Sequence, residues 1–233
     1  MLFVNMQAAE RRVYSQNGED GVIEALFAEL GTTNKFFVEF GCGDAVECNG
    51  AYLVEQGWTG LSMDGEGISK NLRVTVRKEQ VTAENINDLF RKYHVPEEFD
   101  LLSIDIDSND FWVWQRITTR PRVVVIEYNA SIPPTERRTI AYDPNFLWNG
   151  GDYFGASLLA LKELGRQKGY TLVYCERAGV NAFFVADRLL PADFKPLDIE
   201  EIYRLPNYFY RGLRRWHDTT REMIDPFPGL DGP

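Results

Sequence analysis

Apolar residues along the chain alternate between two spacings, one typical of buried strands and the other of amphipathic helices. Short, nearly continuous apolar runs predict strands at 36–40, 59–63, 100–104, 122–126, 170–175 and 182–186. Between them, apolar residues recur three and four positions apart, as on one helix face, which predicts helices at 17–31, 51–56, 84–93, 111–117 and 154–167. A weaker helix–strand pair falls around 68–76. This repeated alternation predicts an α/β fold with a doubly wound, mostly parallel sheet of seven strands and helices on both faces.

Two segments depart from this alternation. The stretch 128–152 carries three prolines and scattered aromatic residues, and irregular segments of this length usually carry function. The chain ends in the proline-rich sequence DPFPGLDGP, which we expect to fray.

Composition narrows the class of protein. A chain of 233 residues with 44% hydrophobic and 13% aromatic residues can bury a large core, which excludes a disordered chain, a collagen and a disulfide-stabilised mini-protein. The 35 acidic residues outnumber the 25 basic ones, giving a formal net charge of −10. Long-range electrostatics therefore disfavours nucleic acid as a partner.

The cysteines and the start of the chain bear on its compartment. Three cysteines without metal-ligand spacing are typical of a reduced, intracellular protein. The start MLFVNMQAAERRVY is too short and too soon charged for a signal peptide, and no apolar run approaches the roughly 20 residues of a membrane span. We therefore expect a cytoplasmic protein with no membrane partner.

A glycine-rich turn follows the first predicted strand, in the sequence Glu39-Phe40-Gly41-Cys42-Gly43-Asp44. Ligands of doubly wound sheets bind at the carboxyl ends of the strands, beside the first strand. The two glycines permit a tight turn and a close approach of ligand to backbone N–H groups. The flanking carboxylates disfavour a phosphate, and a dinucleotide fingerprint needs a small residue where this chain has Val46.

An acid at the end of the second predicted strand completes this pattern. Asp64 follows Gly43 by 21 residues, close to the roughly 20-residue offset at which an acid receives the hydroxyl pair of a ribose. A ribose-binding acid beside an acidic glycine turn suits a cationic nucleoside, of which S-adenosylmethionine is the common one.

Six segments resemble those of known methyltransferases. VEFGCGD resembles the first motif of class I S-adenosylmethionine-dependent methyltransferases. The others are similar to segments of the small FkbM-type methyltransferases, and they are YSQNGEDGVI, VTAENINDLF, DLLSIDIDSNDFWVW, VVVIEYN and GVNAFFV. The resemblance covers residues 14–186 and implies a Rossmann-like methyltransferase fold. It also implies methylation of a hydroxyl oxygen on a small molecule such as a sugar or secondary metabolite, with S-adenosylmethionine as cofactor.

The same resemblance implies a single methyltransferase domain and a set of cofactor-binding residues. The domain divides into an N-terminal helical cap (1–34), a cofactor-binding core (35–190) and a helical C-terminal extension (191–233). The methionine part would contact Glu39, Gly41 and Gly43, the ribose Asp64, and the adenine Val81 and Thr82. Asp105 would face the reactive centre, and Ser15 and Gln16 would close over the cofactor. Plain structural roles remain open, namely a helix cap for Ser15–Asp20, a tight turn for the glycines and an N-cap for Thr82.

Acidic side chains also follow the fourth and fifth predicted strands. Asp105 and Asp107 follow one strand, and Glu127 and Asn129 end the next. Oxygen ligands from adjacent strand ends suit Mg²⁺, which would lower the pKa of an acceptor hydroxyl. The pattern is similar to metal-dependent catechol-type methyltransferases, except that Tyr128 separates Glu127 from Asn129. The alternative is that the acids of 107–110 cap the next helix, and then Asp105 or Glu127 would take the proton directly.

Substrate signals are few. Aromatic residues of 142–154, among them Trp148 and Tyr153, would form a wall over a flat acceptor or pack on the sheet. Arg211, Arg214 and Arg215 would receive an acidic substrate or be solvated, and neither His94 nor His217 is a strong candidate base.

Two rival functions remain, an NAD-dependent oxidoreductase and a non-catalytic binding module. The sequence leaves the oligomeric state open, a homodimer included.

Overall fold

Seven strands form one sheet in the order β3-β2-β1-β4-β5-β7-β6. The computed structural model describes residue 3, residues 6–207 and residues 221–228. All neighbouring strands are parallel except β7, which is antiparallel to both β5 and β6. The strands are β1 (Phe36–Phe40), β2 (Thr59–Asp64), β3 (Val76–Lys78), β4 (Glu98–Ile104), β5 (Arg120–Glu127), β6 (Tyr170–Cys175) and β7 (Asn181–Ala186).

Helices cover both faces of this sheet. They are α1 (Met6–Ala9), α2 (Glu19–Leu30), α3 (Asn49–Glu55), α4 (Ile86–Lys92), α5 (Asp110–Arg116), α6 (Leu158–Gln167) and α7 (Ile199–Ile202). Residues of α2 and α3 pack with Phe37, Leu101 and Val123 of the strands, whereas α4, α5 and α6 pack with the alternate residues Val38, Leu102 and Val124. Because successive strand residues point to opposite faces, both faces of the central strands are buried. The predicted fold class is confirmed.

A buried ion pair fixes the edge of the sheet opposite the strands' carboxyl ends. Arg122 donates to Asp100 at 2.8 Å and to the carbonyl oxygen of Leu30, the last residue of α2, at 2.9 Å. Asp100 also accepts the backbone N–H groups of Thr33 and Lys35. These contacts hold the end of α2 at this edge, so the start of α2 reaches the carboxyl edge, where the cavities lie.

The helix expected within 68–76 is absent, and that prediction is wrong. Residues 65–75 form turns that lead directly into β3. Their N–H groups have partners outside a helix, since Lys70 donates to the carbonyl of Asp44 and Val76 to the hydroxyl of Ser69. The start of α6 also differs, because Ser157 caps it by accepting the N–H of Ala160, so the helix begins at Leu158 rather than 154.

The C-terminal part of the chain is less helical in its described residues than expected. Within the described residues 191–207 and 221–228, the only α-helix is α7. Arg211, Arg214, Arg215 and His217 lie outside the described residues. No helix in the described part of the chain has both the length and the apolar composition needed to cross a bilayer.

Residues 221–228 pack against the domain, so the expectation of fraying is wrong for residues 225–228, and residues 229–233 lie outside the described part of the chain. Ile224 forms a β-bridge with Thr139, and the ring of Phe227 lies 5.7 Å from that of Phe111. Arg137 donates to both carboxylate oxygens of Asp225, at 2.8 and 2.7 Å. This part of the terminus therefore supports the long irregular segment.

Candidate functional site

A cavity of about 670 Å³ opens at the carboxyl ends of β1, β2 and β4. The chain runs in opposite directions along the sheet from the gap between β1 and β4, which is where doubly wound sheets bind ligands. Five carboxylates line this acidic cavity, and no Lys, Arg or His does so among the described residues. They are Asp64, Glu66, Glu79, Asp105 and Asp107.

Asp64 and the glycine turn are bound to each other at the floor of this cavity. Oδ2 of Asp64 accepts the N–H of Gly43 at 3.0 Å, and Oδ1 accepts the N–H of Glu66 at 2.9 Å. A Cβ added at Gly43 would meet nothing within 4 Å. The predicted spatial pairing is therefore present, and the space beside Gly43 is open to a ligand.

Gly41 allows a close contact that no other residue would permit. Its φ is +78°, and an added Cβ would lie 1.4 Å from the carbonyl oxygen of Asp105. Its N–H donates to the carbonyl of Met63 at 3.1 Å. Gly41 thus joins the ends of β1, β2 and β4, so it has a structural requirement of its own beside any role in ligand binding.

Glu39 is buried beneath the turn and is only 5% exposed. Its two carboxylate oxygens accept the N–H groups of Asn49 and Gly50, at 2.7 and 2.9 Å, in the first turn of α3. Burial raises the pKa of Glu39 to about 7. Glu39 also lines a small crevice of about 30 Å³ beside the acidic cavity, together with Gln16 and Asp105.

The N-terminal residues Ser15 and Gln16 have different surroundings. Ser15 is fully buried, and its hydroxyl accepts the N–H of Asp20 while its own N–H donates to Oδ2 of Asp20. Ser15 thus satisfies an N–H group in the first turn of α2, which is a structural role of the kind that the helix-cap alternative gave it, although the N-cap residue itself is Gly18. Gln16, by contrast, lines the small crevice.

The residues expected beside adenine divide in the same way. Val81 lines the acidic cavity. Thr82 exchanges hydrogen bonds with Asn85, its N–H donating to Oδ1 at 2.8 Å and its hydroxyl accepting the Asn85 N–H at 3.3 Å. Thr82 therefore stabilises the turn before α4, whose N-cap residue is Asn85 and not Thr82.

Three of the four expected metal ligands converge. The carboxylates of Asp105, Asp107 and Glu127 each place an oxygen within 4.8 Å of the others. Asp107 has a φ of +54°, an uncommon conformation for a residue with a side chain. Such a set of carboxylate oxygens fits a hard cation such as Mg²⁺.

Asn129 has a different task. It is fully buried, and its amide nitrogen donates to the carbonyls of Asp152 and Phe154 at 2.7 and 3.1 Å. Its amide oxygen accepts the N–H of Ser131 at 3.0 Å. The side chain therefore holds the long irregular segment in place, and its assignment as a metal ligand stays a prediction.

Asp110 shapes the loop that carries the converging carboxylates. This fully buried residue accepts the N–H groups of Ile106 and Ser108, at 2.8 and 3.0 Å. Burial raises the pKa of Asp110 to about 6. Asp110, the first residue of α5, thus organises the loop before the helix and does not cap it, since the N-cap residue is Asn109, whereas Asp107 lies among the converging acids.

The long irregular segment supplies the remaining wall of the acidic cavity. Phe146 and Trp148 line it, and Leu147 between them is 75% exposed. The rings of Phe146 and Tyr153 also pack together, with centroids 5.7 Å apart. Trp148 therefore lines the acidic cavity, whereas Tyr153 packs on Phe146 of the same segment and not on the sheet.

Two asparagines at the site were not singled out from the sequence. Asn109 donates to the carbonyl of Asp143 at 2.8 Å, joining the loop after β4 to the long segment. Asn181 pairs with Glu127 in the β5–β7 register and donates to Glu19 at 2.9 Å. Asn181 belongs to the segment GVNAFFV, which carried the resemblance, but nothing in that string distinguishes the asparagine from an ordinary turn residue.

No protein-family model matches this chain, and no curated protein matches it. Among solved structures, the chain is similar to the crystal structure of the N-terminal domain of EvdMO1 with SAH bound. The similarity has a TM-score of 0.43 at 12% sequence identity and covers 74% of this chain and 82% of that one.

Proposed function

We propose that this protein is an S-adenosylmethionine-dependent methyltransferase that methylates a hydroxyl group of a small molecule such as a sugar or secondary metabolite. The observation that carries the proposal is the bond between Asp64 and Gly43 inside an acidic cavity at the reversal point of the sheet. A carboxylate held in this place has lone pairs to accept ribose hydroxyls.

The charge of the cavity favours a cationic nucleoside over a dinucleotide. S-adenosylmethionine carries a positive sulfur and an ammonium group, whereas NAD carries two phosphates. A lining with five carboxylates and no basic residue among those described attracts the first and repels the second. The same argument disfavours the NAD-dependent oxidoreductase, and the formal net charge of −10 supports a small-molecule acceptor over nucleic acid.

Each part of the cavity has a matching role in this proposal. Asp64 accepts the ribose hydroxyls, and Val81 offers an apolar contact to the adenine. The open space at Gly43 admits the cofactor close to the backbone. Phe146 and Trp148 exclude water from one side.

S-adenosylmethionine supplies, when bound, a methyl group on a positively charged sulfur. The residues of the chain orient the acceptor oxygen in line with the carbon–sulfur bond, so that the oxygen–carbon bond forms as that bond breaks. Without a metal ion, Asp105 or Glu127 would take the hydroxyl proton directly. With Mg²⁺ bound, Asp105, Asp107 and Glu127 would be its ligands, and the ion would lower the pKa of the acceptor hydroxyl.

Isothermal titration of the purified protein with S-adenosylhomocysteine, and separately with NAD, tests the proposal without knowledge of the acceptor. We expect micromolar binding of S-adenosylhomocysteine and none of NAD. Binding of NAD alone would establish the oxidoreductase instead. Binding of neither ligand would favour a non-catalytic module on this fold.

A further inference from the structure

A second cavity, of about 400 Å³, lies at the same edge of the sheet, between the N-terminal segment and the loop that joins β6 to β7. Three arginines line it, namely Arg11, Arg12 and Arg177. Neither the acidic cavity nor the small crevice has a Lys or Arg among its described lining residues. Of these three hollows, the arginine cavity is therefore the one that offers cationic side chains to a ligand.

The three guanidinium groups are held in position but keep donors for a ligand. Nη2 of Arg12 donates to Glu47 at 2.7 Å, and Nε of Arg177 donates to Glu10 at 2.7 Å. Nη2 of Arg11 donates to Glu24 at 2.8 Å. Each side chain is about half exposed. Since a guanidinium has five N–H donors, a carboxylate on one nitrogen orients the group and leaves other donors for an anion.

The acids of this lining are engaged by the protein itself. Glu176 is fully buried and accepts three backbone N–H groups, those of Ala178, Val180 and Asn181. Glu10 accepts the hydroxyl of Tyr174 and the N–H of Arg177 as well as the guanidinium. Among the charged residues that line the arginine cavity, the half-exposed ones are therefore the three arginines, each of which also pairs with a carboxylate.

Shared lining residues show that the three hollows are neighbours along the edge. Gln16 lines both the arginine cavity and the small crevice. Asp105 lines both the small crevice and the acidic cavity. A molecule with a hydroxyl near Asp105 that also reaches the arginines would pass Gln16.

We propose that the arginine cavity binds an anionic group of the methyl acceptor, a carboxylate or a phosphate. This inference rests on the proposed function, and it narrows the class of methyl acceptor to hydroxylated acids or phosphorylated molecules. Planar guanidinium groups bind both kinds of oxygen group through paired, charge-assisted hydrogen bonds.

The test is a titration of the protein saturated with S-adenosylhomocysteine, using inorganic phosphate in one arm and acetate in the other. NMR signals of the arginine Nε–H groups report binding at each side chain. The Arg12→Gln/Arg177→Gln variant removes two of the cations, while its amides can still donate to Glu47 and Glu10. The Arg12→Gln variant alone changes only the exposed Arg12–Glu47 ion pair. It replaces the double variant in the titration if the double variant fails to fold. Arg91→Gln/Arg166→Gln, at exposed helix positions, is the matched control.

We expect saturable, millimolar binding that shifts the signals of Arg12 and Arg177 and weakens about tenfold or more in the double variant. The control variant should bind like the unmodified protein, and every variant should retain its affinity for S-adenosylhomocysteine. Tighter binding of phosphate points to a phosphorylated acceptor, and binding of acetate at least as tight points to a carboxylic acid.

Three outcomes overturn the proposal. One is the absence of saturable binding of either anion. Another is an anion affinity of the double variant equal to that of the unmodified protein, or the same result for Arg12→Gln where that variant replaces it. The third is competition between the anion and S-adenosylhomocysteine, which would assign the cavity to the carboxylate of the cofactor. Failure of the unmodified protein to bind S-adenosylhomocysteine while phosphate still binds would instead count against the proposed function.

Discussion

Oδ2 of Asp64, at the end of β2, accepts the backbone N–H of Gly43, in the turn after β1, at a distance of 3.0 Å. The two residues are 21 positions apart in the chain, and adjacent parallel strands bring them together. This bond fixes the acid at the floor of the acidic cavity. A ligand that binds the carboxylate therefore also lies against the glycine turn.

The two glycines of the turn should respond differently to the same substitution. Gly41→Ala places a Cβ 1.4 Å from the carbonyl oxygen of Asp105 at a positive φ. Backbone strain of about 1–2 kcal/mol and overpacking of about 1–3 kcal/mol then add. Gly43→Ala has open space and incurs only the strain. Urea unfolding should give a free-energy loss that is larger for Gly41→Ala by about 1–3 kcal/mol, and equal losses would contradict the close contact.

Asp110→Asn should loosen the loop that carries Asp105 and Asp107. The carboxylate accepts two backbone N–H groups, from Ile106 and Ser108, and an amide has one oxygen to offer. Leaving a buried N–H without its partner costs about 1–3 kcal/mol. We expect a lower free energy of unfolding together with faster amide exchange at 106 and 108. Unchanged exchange at both positions would show that Asp110 does not hold the loop.

Stability should fall as pH rises through neutrality. Burial raises the pKa of Glu39 and of Glu176 to about 7. The folded state therefore holds these protons more tightly than the unfolded chain, and their contribution is present at low pH and lost as pH rises through about 7. At roughly 1.4 kcal/mol per pKa unit, each group should lower the free energy of unfolding by about 2 kcal/mol between pH 5.5 and pH 8.

Glu39→Gln isolates one of these contributions. Urea unfolding across that pH range should give a flatter profile for Glu39→Gln than for the unmodified protein. The exposed Glu97→Gln substitution is the matched control and should leave the profile unchanged. A profile for Glu39→Gln as steep as that of the unmodified protein would contradict the raised pKa.

The converging carboxylates predict binding of a hard cation. Titration with Mg²⁺ should give saturable binding that Asp107→Asn weakens about tenfold, since it removes one charged ligand of three. Asp143→Asn, in the exposed part of the long segment, should bind like the unmodified protein. Once an acceptor is known, full methyl transfer in excess EDTA would reject the ion and leave Asp105 or Glu127 as the direct base.

Local sequence patterns predicted most of the fold. The strands at 36–40 and 170–175 have the predicted ends, because burial of both faces produces a continuous apolar run. The helix expected within 68–76 is absent. The N–H groups of Lys70 and Val76 donate instead to Asp44 and Ser69. These contacts form only in the folded chain, so they produce no periodic pattern in the sequence.

The candidate site was predicted in part, for similar reasons. A fixed offset along the chain identified Asp64, because adjacent parallel strands impose that spacing. The structural roles of Glu39 and Asn129 depend on where α3 begins and on how the long segment folds back, and neither is encoded in a short pattern. The contact between Gly41 and Asp105 likewise exists only once β1 lies beside β4.

The central claim is that Asp64 binds the ribose of an S-adenosyl cofactor. Calorimetric titration of Asp64→Ala with S-adenosylhomocysteine tests it most directly, with circular dichroism to verify folding and Glu66→Ala as the matched control on the same loop. We predict that binding to Asp64→Ala weakens by about 1–3 kcal/mol, because the ribose hydroxyls lose their acceptor, whereas Glu66→Ala loses less. An affinity of Asp64→Ala equal to that of the unmodified protein would contradict the assignment.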